Sequence, residues 1–170
     1  IINETIRLIE ERKSLRRYSD KEIPERILNQ VIHSAMRAPT AGNMMMYSII
    51  VVKDQETKNI LSETCDHQPF IAKAPVLLLF LADLEKWHRY FVLSDVLEYE
   101  KKRKGQYDFP KMADLMFGIS DAMIAAQTAV IAAESLGLGS CYIGDIMENY
   151  EIPRDLLNLP KRSFPIGLLT

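Results

Sequence analysis

The stretch MADLMFGISDAMIAAQTAVIAAESLG, residues 112–137, decides the fold of this chain. Apolar residues recur in it at intervals of three and four, which is the period of an amphipathic helix, and Gly137 is a suitable C-terminal cap. The pattern therefore predicts a central helix of about six turns. Its single apolar face is expected to consist of Met112, Leu115, Met116, Ile119, Met123, Ala126, Val130 and Ala133.

Two helices are predicted ahead of this central helix. The first carries Ile2, Ile6 and Ile9 at helical spacing and follows a possible Asn3 cap. The second begins at Pro24, because proline is tolerated in the first turn of a helix. Both carry apolar stripes, so both are expected to pack on a common core.

Apolar and β-branched runs predict the strands of the domain. They lie at 48–53, 74–82, 140–143 and from Phe164 onward. Asp54 is expected to cap a helix after the first strand, and a capped helix is expected after Pro153. The chain is therefore predicted to be one α+β domain over residues 1–170, with a charged helical excursion at about 85–110 on its periphery.

Composition narrows the function classes. A hydrophobic content of 48% is ordinary for a soluble globular protein, and a net charge of −2 gives no reason to expect nucleic acid or an anionic membrane as partner. The longest apolar run, 74–82, is less than half of a membrane span. Two cysteines and no secretory leader pattern predict a cytoplasmic protein. Ile1 and Thr170 are both expected to be internal to a longer native chain, with a basic tail after Thr170.

The most informative polar segment is Arg12-Lys13-Ser14-Leu15-Arg16-Arg17-Tyr18. It places four cations and hydroxyl groups beside the end of a predicted helix, and such groups form charge-assisted hydrogen bonds with phosphate. Cations are also favoured at a helix C-terminus by the macrodipole alone. From these residues alone, a phosphate site and a solvated basic face both remain open.

Two turns are further candidates. The loop 38–43 offers a hydroxyl and an amide around Gly42, and it is equally typical of an ordinary turn. In the segment 137–144, Gly137 has a sufficient role as a helix cap, whereas Gly144 follows a predicted strand and could let backbone approach a flat ligand. Gly137 and Gly139 follow a helix and precede a strand, which is the reverse of a dinucleotide-binding fingerprint.

Other chemistry is not predicted. Cys65 and His67 are too close in sequence to present a thiol and its base to one substrate, and no third orienting group is identifiable. His33 and His88 lack metal-ligand spacing to any cysteine or histidine, so no metal site is predicted.

Four of these segments, taken in order, resemble the nitroreductase family of FMN-dependent reductases, most of all the branch of flavin reductase P and the oxygen-insensitive NADPH nitroreductases. The matching elements are Arg12 to Tyr18, Ala38 to Asn43, Gln68-Pro69-Phe70 with Ala74-Pro75, and Gly137-Leu138-Gly139 through Tyr142-Ile143-Gly144. The resemblance implies a mixed central sheet flanked by helices, in an intertwined homodimer with FMN at the subunit interface.

The resemblance also implies which residues contact FMN. The phosphate and ribityl chain would be held by Arg12, Lys13, Ser14 and Arg16. The flavin would be bordered, from the partner subunit, by Pro39, Thr40 and Asn43. Its pyrimidine edge would bind Gln68, and its other side would be lined by Tyr142, Ile143, Gly144 and Asp145. No side chain is expected to act as a catalytic group, because FMN carries the chemistry.

The implied activity is that of an NAD(P)H oxidoreductase. It would transfer hydride in a ping-pong cycle to small-molecule oxidants, namely nitro compounds, quinones or free flavin. A dehalogenase or flavin-destroying oxidase on the same fold, and a non-catalytic flavin-binding protein, remain alternatives. Asp145 and Met147 stand where that branch commonly has glycine and a basic residue, so the choice between NADPH and NADH stays open.

Overall fold

The computed structural model describes residues 3–103 and 105–170. Ile2 of the predicted first helix and residue 104 of the predicted excursion lie outside them. The helices are α1 (Glu4–Glu11), α2 (Glu25–Ala35), α3 (Gln55–Thr64), α4 (Pro69–Lys73), α5 (Glu85–Leu93), α6 (Val96–Lys102), α7 (Met112–Ser135) and α8 (Glu151–Leu156). The strands are β1 (Tyr47–Val52), β2 (Leu77–Asp83), β3 (Tyr142–Ile143) and β4 (Ser163–Leu169).

The strands form one sheet in the order β1-β2-β4-β3, and all three neighbouring pairs are antiparallel. Within the described residues, the only parallel pairing is an isolated bridge between Ser14 and Ser140. The predicted α+β class is confirmed. A mixed sheet also contains parallel strands, and in this chain the single bridge is the parallel pairing that the described residues show.

Strand β2 is buried on both faces and divides the core in two. Leu78, Phe80 and Ala82 belong to a cluster with α2 and α7 on one side of the sheet. The alternate residues of the strand face a second cluster with α3, α4 and the end of β3 on the other side. This alternation is the period-two geometry of a strand, and it confirms that helices flank the sheet on both faces.

Helix α7 is present where the sequence predicts it, but the predicted apolar face is wrong at its three methionines. Leu115 and Ile119 of that face pack against the core, as predicted. Met112 and Met116 are 72% and 61% exposed, whereas Gly118 and the following alanines are buried. The helix lies so close to the sheet that a Cβ on Gly118 would come within 3.0 Å of the Met46 carbonyl oxygen. Small residues therefore occupy the closest approach to the sheet, and several large ones point outward.

By length and composition alone, α7 could cross a membrane, with a mean hydropathy of 1.6. In this fold it packs against α2 and β2, which is the position of a core helix in a soluble protein. The core accounts for one side of the helix, since 39% of its most apolar window is buried.

Other boundaries follow from local chemistry. The side chains of Asn3 and Asp54 cap α1 and α3 by accepting hydrogen bonds from the N–H groups of Ile6 and Thr57, as predicted. Strand β2 begins three residues later than predicted, because Ala74 still belongs to the end of α4. The predicted capped helix after Pro153 is wrong, since α8 begins two residues earlier without a side-chain cap and holds this proline in its first turn.

Candidate cofactor-binding site

The basic segment after α1 is tied to the glycine-containing turn after α7. The Leu15 N–H donates to the Ser140 carbonyl oxygen at 2.9 Å. A Cβ on Gly139 would lie 2.0 Å from Leu15 Cδ1, so the leucine side chain occupies the space that this glycine leaves. Sequence positions about 125 residues apart are thereby held side by side. The Ser140 hydroxyl is buried beside this contact and has no hydrogen-bond partner in the described chain.

Cations of this segment are available to an anion. Within residues 3–103 and 105–170, Arg12, Lys13 and Arg16 form no ion pair. The Arg16 guanidinium lies over the Phe70 ring, 5.8 Å from its centroid. Unpaired guanidinium and ammonium groups beside the Ser14 hydroxyl provide donors of the kind that bind a phosphate group.

Gln68 lies at the N-terminal end of α4, two residues before the Phe70 ring that Arg16 covers. Its amide nitrogen donates to the Asp145 side chain at 2.5 Å and to the Cys65 carbonyl oxygen at 2.9 Å. Asp145 begins the short 3₁₀ turn that follows β3. The structure therefore brings Arg16, Gln68 and Asp145 together through α4.

The strand end before Asp145 offers an open backbone surface. Gly144 has an ordinary φ of −84°, and no atom lies within 4 Å of the position that a Cβ would occupy. The fold of this chain therefore does not require glycine here, and a flat group can approach the backbone. This bare backbone and the unpaired cations together fit a planar cofactor that carries a phosphate, as FMN does.

Tyr142 and Ile143 precede this glycine on opposite faces of β3. Ile143 is buried in the second core cluster. Burial raises the pKa of the Tyr142 hydroxyl to about 12, and the nearby Arg12 charge opposes that shift. The phenol is therefore neutral at physiological pH and lies within the field of the basic segment.

The predicted residues Pro39, Thr40 and Asn43 lie elsewhere. Their loop is fixed on α7 by Asp121, whose carboxylate accepts hydrogen bonds from the N–H groups of Ala41 at 2.9 Å and Met46 at 3.2 Å. Fourteen helical residues separate Asp121 from the end of α7, a distance of about 21 Å along its axis. Within one chain, the predicted contacts thus form two separate groups, one beside the middle of α7 and one beyond its C-terminal end.

Asp121 was missed by the sequence reasoning. It is 2% exposed on the alanine face of α7. The sequence does contain one signal for it, a single carboxylate among small apolar residues. A charge at such a position must be paired or hydrogen-bonded when it is buried. Its partners are backbone N–H groups, which leave no trace in the sequence.

A second anchor of the same loop comes from α5. The Trp87 indole N–H donates to the Met44 carbonyl oxygen at 2.8 Å, and the Lys86 ammonium group donates to the Tyr47 carbonyl oxygen. Burial lowers the pKa of Lys86. The beginning of the predicted excursion is therefore attached to the loop that carries Thr40 and Asn43.

Nucleophilic and metal chemistry find no support here. Burial raises the pKa of the Cys65 thiol to about 11, and Asp145 contributes to the shift, so the reactive thiolate is scarce at neutral pH. In the part of the chain that the structure describes, no three His, Cys, Asp or Glu side chains form a group that could hold a metal ion.

Comparisons with known proteins show the family of this chain. The family model described as "Nitroreductase family" matches residues 9–170. The FMN reductase [NAD(P)H] of Bacillus subtilis is 35% identical over 98% of this chain and 64% of its own length. The NADPH-dependent oxidoreductase of Staphylococcus saprophyticus is 30% identical over 94% of this chain and 60% of its own length.

Solved structures show the same fold. A hypothetical oxidoreductase from Bacillus subtilis superposes with a TM-score of 0.87 at 35% identity, over 99% of this chain and 65% of that protein. The NADPH:FMN oxidoreductase of Vibrio harveyi, complexed with NAD+, has a TM-score of 0.82 at 27% identity, over 98% of this chain and 67% of that protein. This chain thus spans 60% to 64% of the length of the two curated relatives named above. It belongs to the nitroreductase family.

Proposed function

We propose that this protein is an FMN-dependent NAD(P)H oxidoreductase that reduces nitro compounds, quinones or free flavin. The observation that carries the proposal is the convergence of unpaired cations, the Gln68 amide and the bare Gly144 backbone in one chain. The names of the relatives support the same activity, since they include an FMN reductase and an NADPH:FMN oxidoreductase.

The roles of the residues follow from their chemistry. Arg12, Lys13, Ser14 and Arg16 would bind the FMN phosphate and nearby ribityl oxygens, and Gln68 would bind the pyrimidine edge. Bound FMN would accept hydride from a nicotinamide and pass the electrons to the oxidant. The chain itself would position the ring and keep one face of it accessible, so no side chain needs to be a nucleophile or an obligate base.

We also propose a homodimer with FMN at the interface. Two observations support it. Asp121, which holds the loop of Thr40 and Asn43, lies about 21 Å along α7 from the helix end that leads to Ser140, so the loop is free to border the flavin of a second copy. The outward face of α7 exposes large apolar side chains, which is typical of a covered surface. They are Met112, Met116, Phe117, Met123 and Ile124.

Ultracentrifugation with detection at protein and flavin wavelengths tests the dimer. Flavin absorbance is expected to sediment with the dimer and to be lost from the monomer on dilution. A flavin-loaded monomer would contradict the shared site.

Steady-state kinetics test the reaction itself. We expect oxidation of NADPH or NADH in the presence of a quinone or nitro compound, with parallel initial-rate plots at several oxidant concentrations, because donor and oxidant would use one flavin face in turn. Intersecting plots would mean that both substrates bind together.

We also propose a cytoplasmic location, because both cysteines are buried in the thiol form.

A further inference from the structure

The Gln68 amide is held in one orientation by two acceptors. Its nitrogen contacts a carboxylate oxygen of Asp145 and the carbonyl oxygen of Cys65. Both are acceptors only, so the amide nitrogen, and not the amide oxygen, must face them. Both hydrogens of the nitrogen are used, and within residues 3–103 and 105–170 the oxygen of Gln68 accepts no hydrogen bond. Gln68 therefore presents an acceptor, and not a donor, to any ligand at this position.

We infer that Asp145 is a positioning residue that makes Gln68 select the N3–H group of the flavin, and that its charge makes bound FMN harder to reduce. The inference rests on the proposed binding of FMN. N3–H is the only donor on the pyrimidine edge of the ring, between two carbonyl groups, so an oriented amide oxygen is its matching partner.

The effect of the charge follows from the electron count. Addition of two electrons and one proton to the flavin leaves one extra negative charge, which the pyrimidine side of the ring carries. A carboxylate hydrogen-bonded to the residue at that edge repels this charge, whereas it has little effect on the neutral oxidised ring. Asp145 therefore favours oxidised over reduced FMN.

Binding of FMN and 3-methyl-FMN tests the orientation. The methylated flavin lacks the N3 hydrogen, so the wild-type protein is expected to bind it about tenfold more weakly than FMN, because an acceptor is left unpaired. Asp145→Ala leaves only the Cys65 carbonyl oxygen to orient the amide and is expected to reduce this preference to less than about threefold. Asp145→Asn offers an amide oxygen in place of the carboxylate and is expected to retain it. Full preference in Asp145→Ala would overturn the positioning role.

The midpoint potential of bound FMN tests the charge. It can be measured by dithionite titration against a reference dye, with the FMN added to saturation. Asp145→Asn is expected to favour the reduced form about tenfold, a positive shift of about 30 mV for a two-electron couple. Asp155→Asn removes a charge that is 73% exposed and paired with Arg154, and is expected to leave the potential unchanged.

Two outcomes separate this inference from the proposed function. A wild-type protein that binds FMN, with an unchanged or more negative potential in Asp145→Asn, would overturn the effect of the charge alone. A wild-type protein that does not bind FMN would overturn the proposed function as well.

Discussion

The backbone N–H of Leu15 donates to the carbonyl oxygen of Ser140 at 2.9 Å, and this contact joins the basic segment to the turn that leads into β3. The leucine side chain packs over the bare α-carbon of Gly139. Cations that follow α1 are thereby placed beside the turn that leads into β3, near Tyr142. The position of the proposed phosphate group is thus set by a short stretch of backbone pairing.

This pairing predicts that neighbouring arginines differ in their contribution to FMN binding. Both arginines line a cavity of about 1160 Å³, but Arg16 lies over Phe70, whereas Arg17 also lines, with Leu15, a second cavity of about 440 Å³ to which Arg16 does not contribute. Loss of one charge-assisted contact of about 1.5 to 3 kcal/mol should make Arg16→Ala bind FMN at least about tenfold more weakly. Arg17→Ala should lose less than about threefold. Equal losses in a fluorescence titration would mean that the segment acts only as diffuse charge.

Gly139→Ala should disturb the basic segment through Leu15. The new methyl group would overlap Leu15 Cδ1, so the leucine must turn away, at a cost of about 1 kcal/mol in the free energy of unfolding. Weaker FMN binding should accompany this loss, and both effects should be smaller when Leu15→Ala is added. Denaturant unfolding and FMN titration of the single and double variants measure this coupling.

Gly144→Ala is the matched comparison. The chain leaves free space at this position and the backbone φ is ordinary, so stability should stay within about 0.5 kcal/mol of wild type. FMN binding should nevertheless weaken, because the methyl group would enter the space assigned to the ring. Unchanged FMN affinity in this variant would place the flavin elsewhere.

Asp121 should be important for stability. Asp121→Ala leaves the N–H groups of Ala41 and Met46 without their acceptors in a buried site, which should cost about 2 to 4 kcal/mol. Ser120→Ala changes an exposed neighbour on the same helix and should stay within about 0.5 kcal/mol. Chemical denaturation of both variants checks this difference, and equal stabilities would show that the loop does not depend on Asp121.

Stability should also fall at high pH in a way that depends on Tyr142. Burial raises the pKa of this phenol to about 12 in the folded protein, from its ordinary value of 10.0. Between these values the unfolded chain has released the proton and the folded chain has kept it, so stability decreases as the pH rises from about 10 to about 12. Tyr142→Phe should make the decline shallower over that interval. An unaltered pH profile of the thermal midpoint would contradict this assignment.

The sequence predicted those features that depend on local pattern. The α7 helix follows from its apolar period, the capping roles of Asn3 and Asp54 follow from their short polar side chains, and the buried β2 strand follows from its apolar run. Family resemblance supplied the residues of the candidate site. The pairing of Gln68 with Asp145 could not be predicted, because it joins residues 77 positions apart through one hydrogen bond.

The exposure of Met112 and Met116 also could not be predicted from the sequence. Periodicity identifies an apolar helix, but it does not say which side of the helix approaches the sheet closely enough to require Gly118. The same limit applies to Asp121, whose partners are backbone groups.

A fluorescence titration with FMN and with riboflavin tests the central claim most directly, since the two ligands differ only in the phosphate. We expect the fluorescence of FMN to change on binding and the titration to reach saturation. Riboflavin is expected to bind at least about a hundredfold more weakly, because two or more charge-assisted hydrogen bonds are lost. Equal affinities for the two flavins, or no binding of FMN, would contradict it.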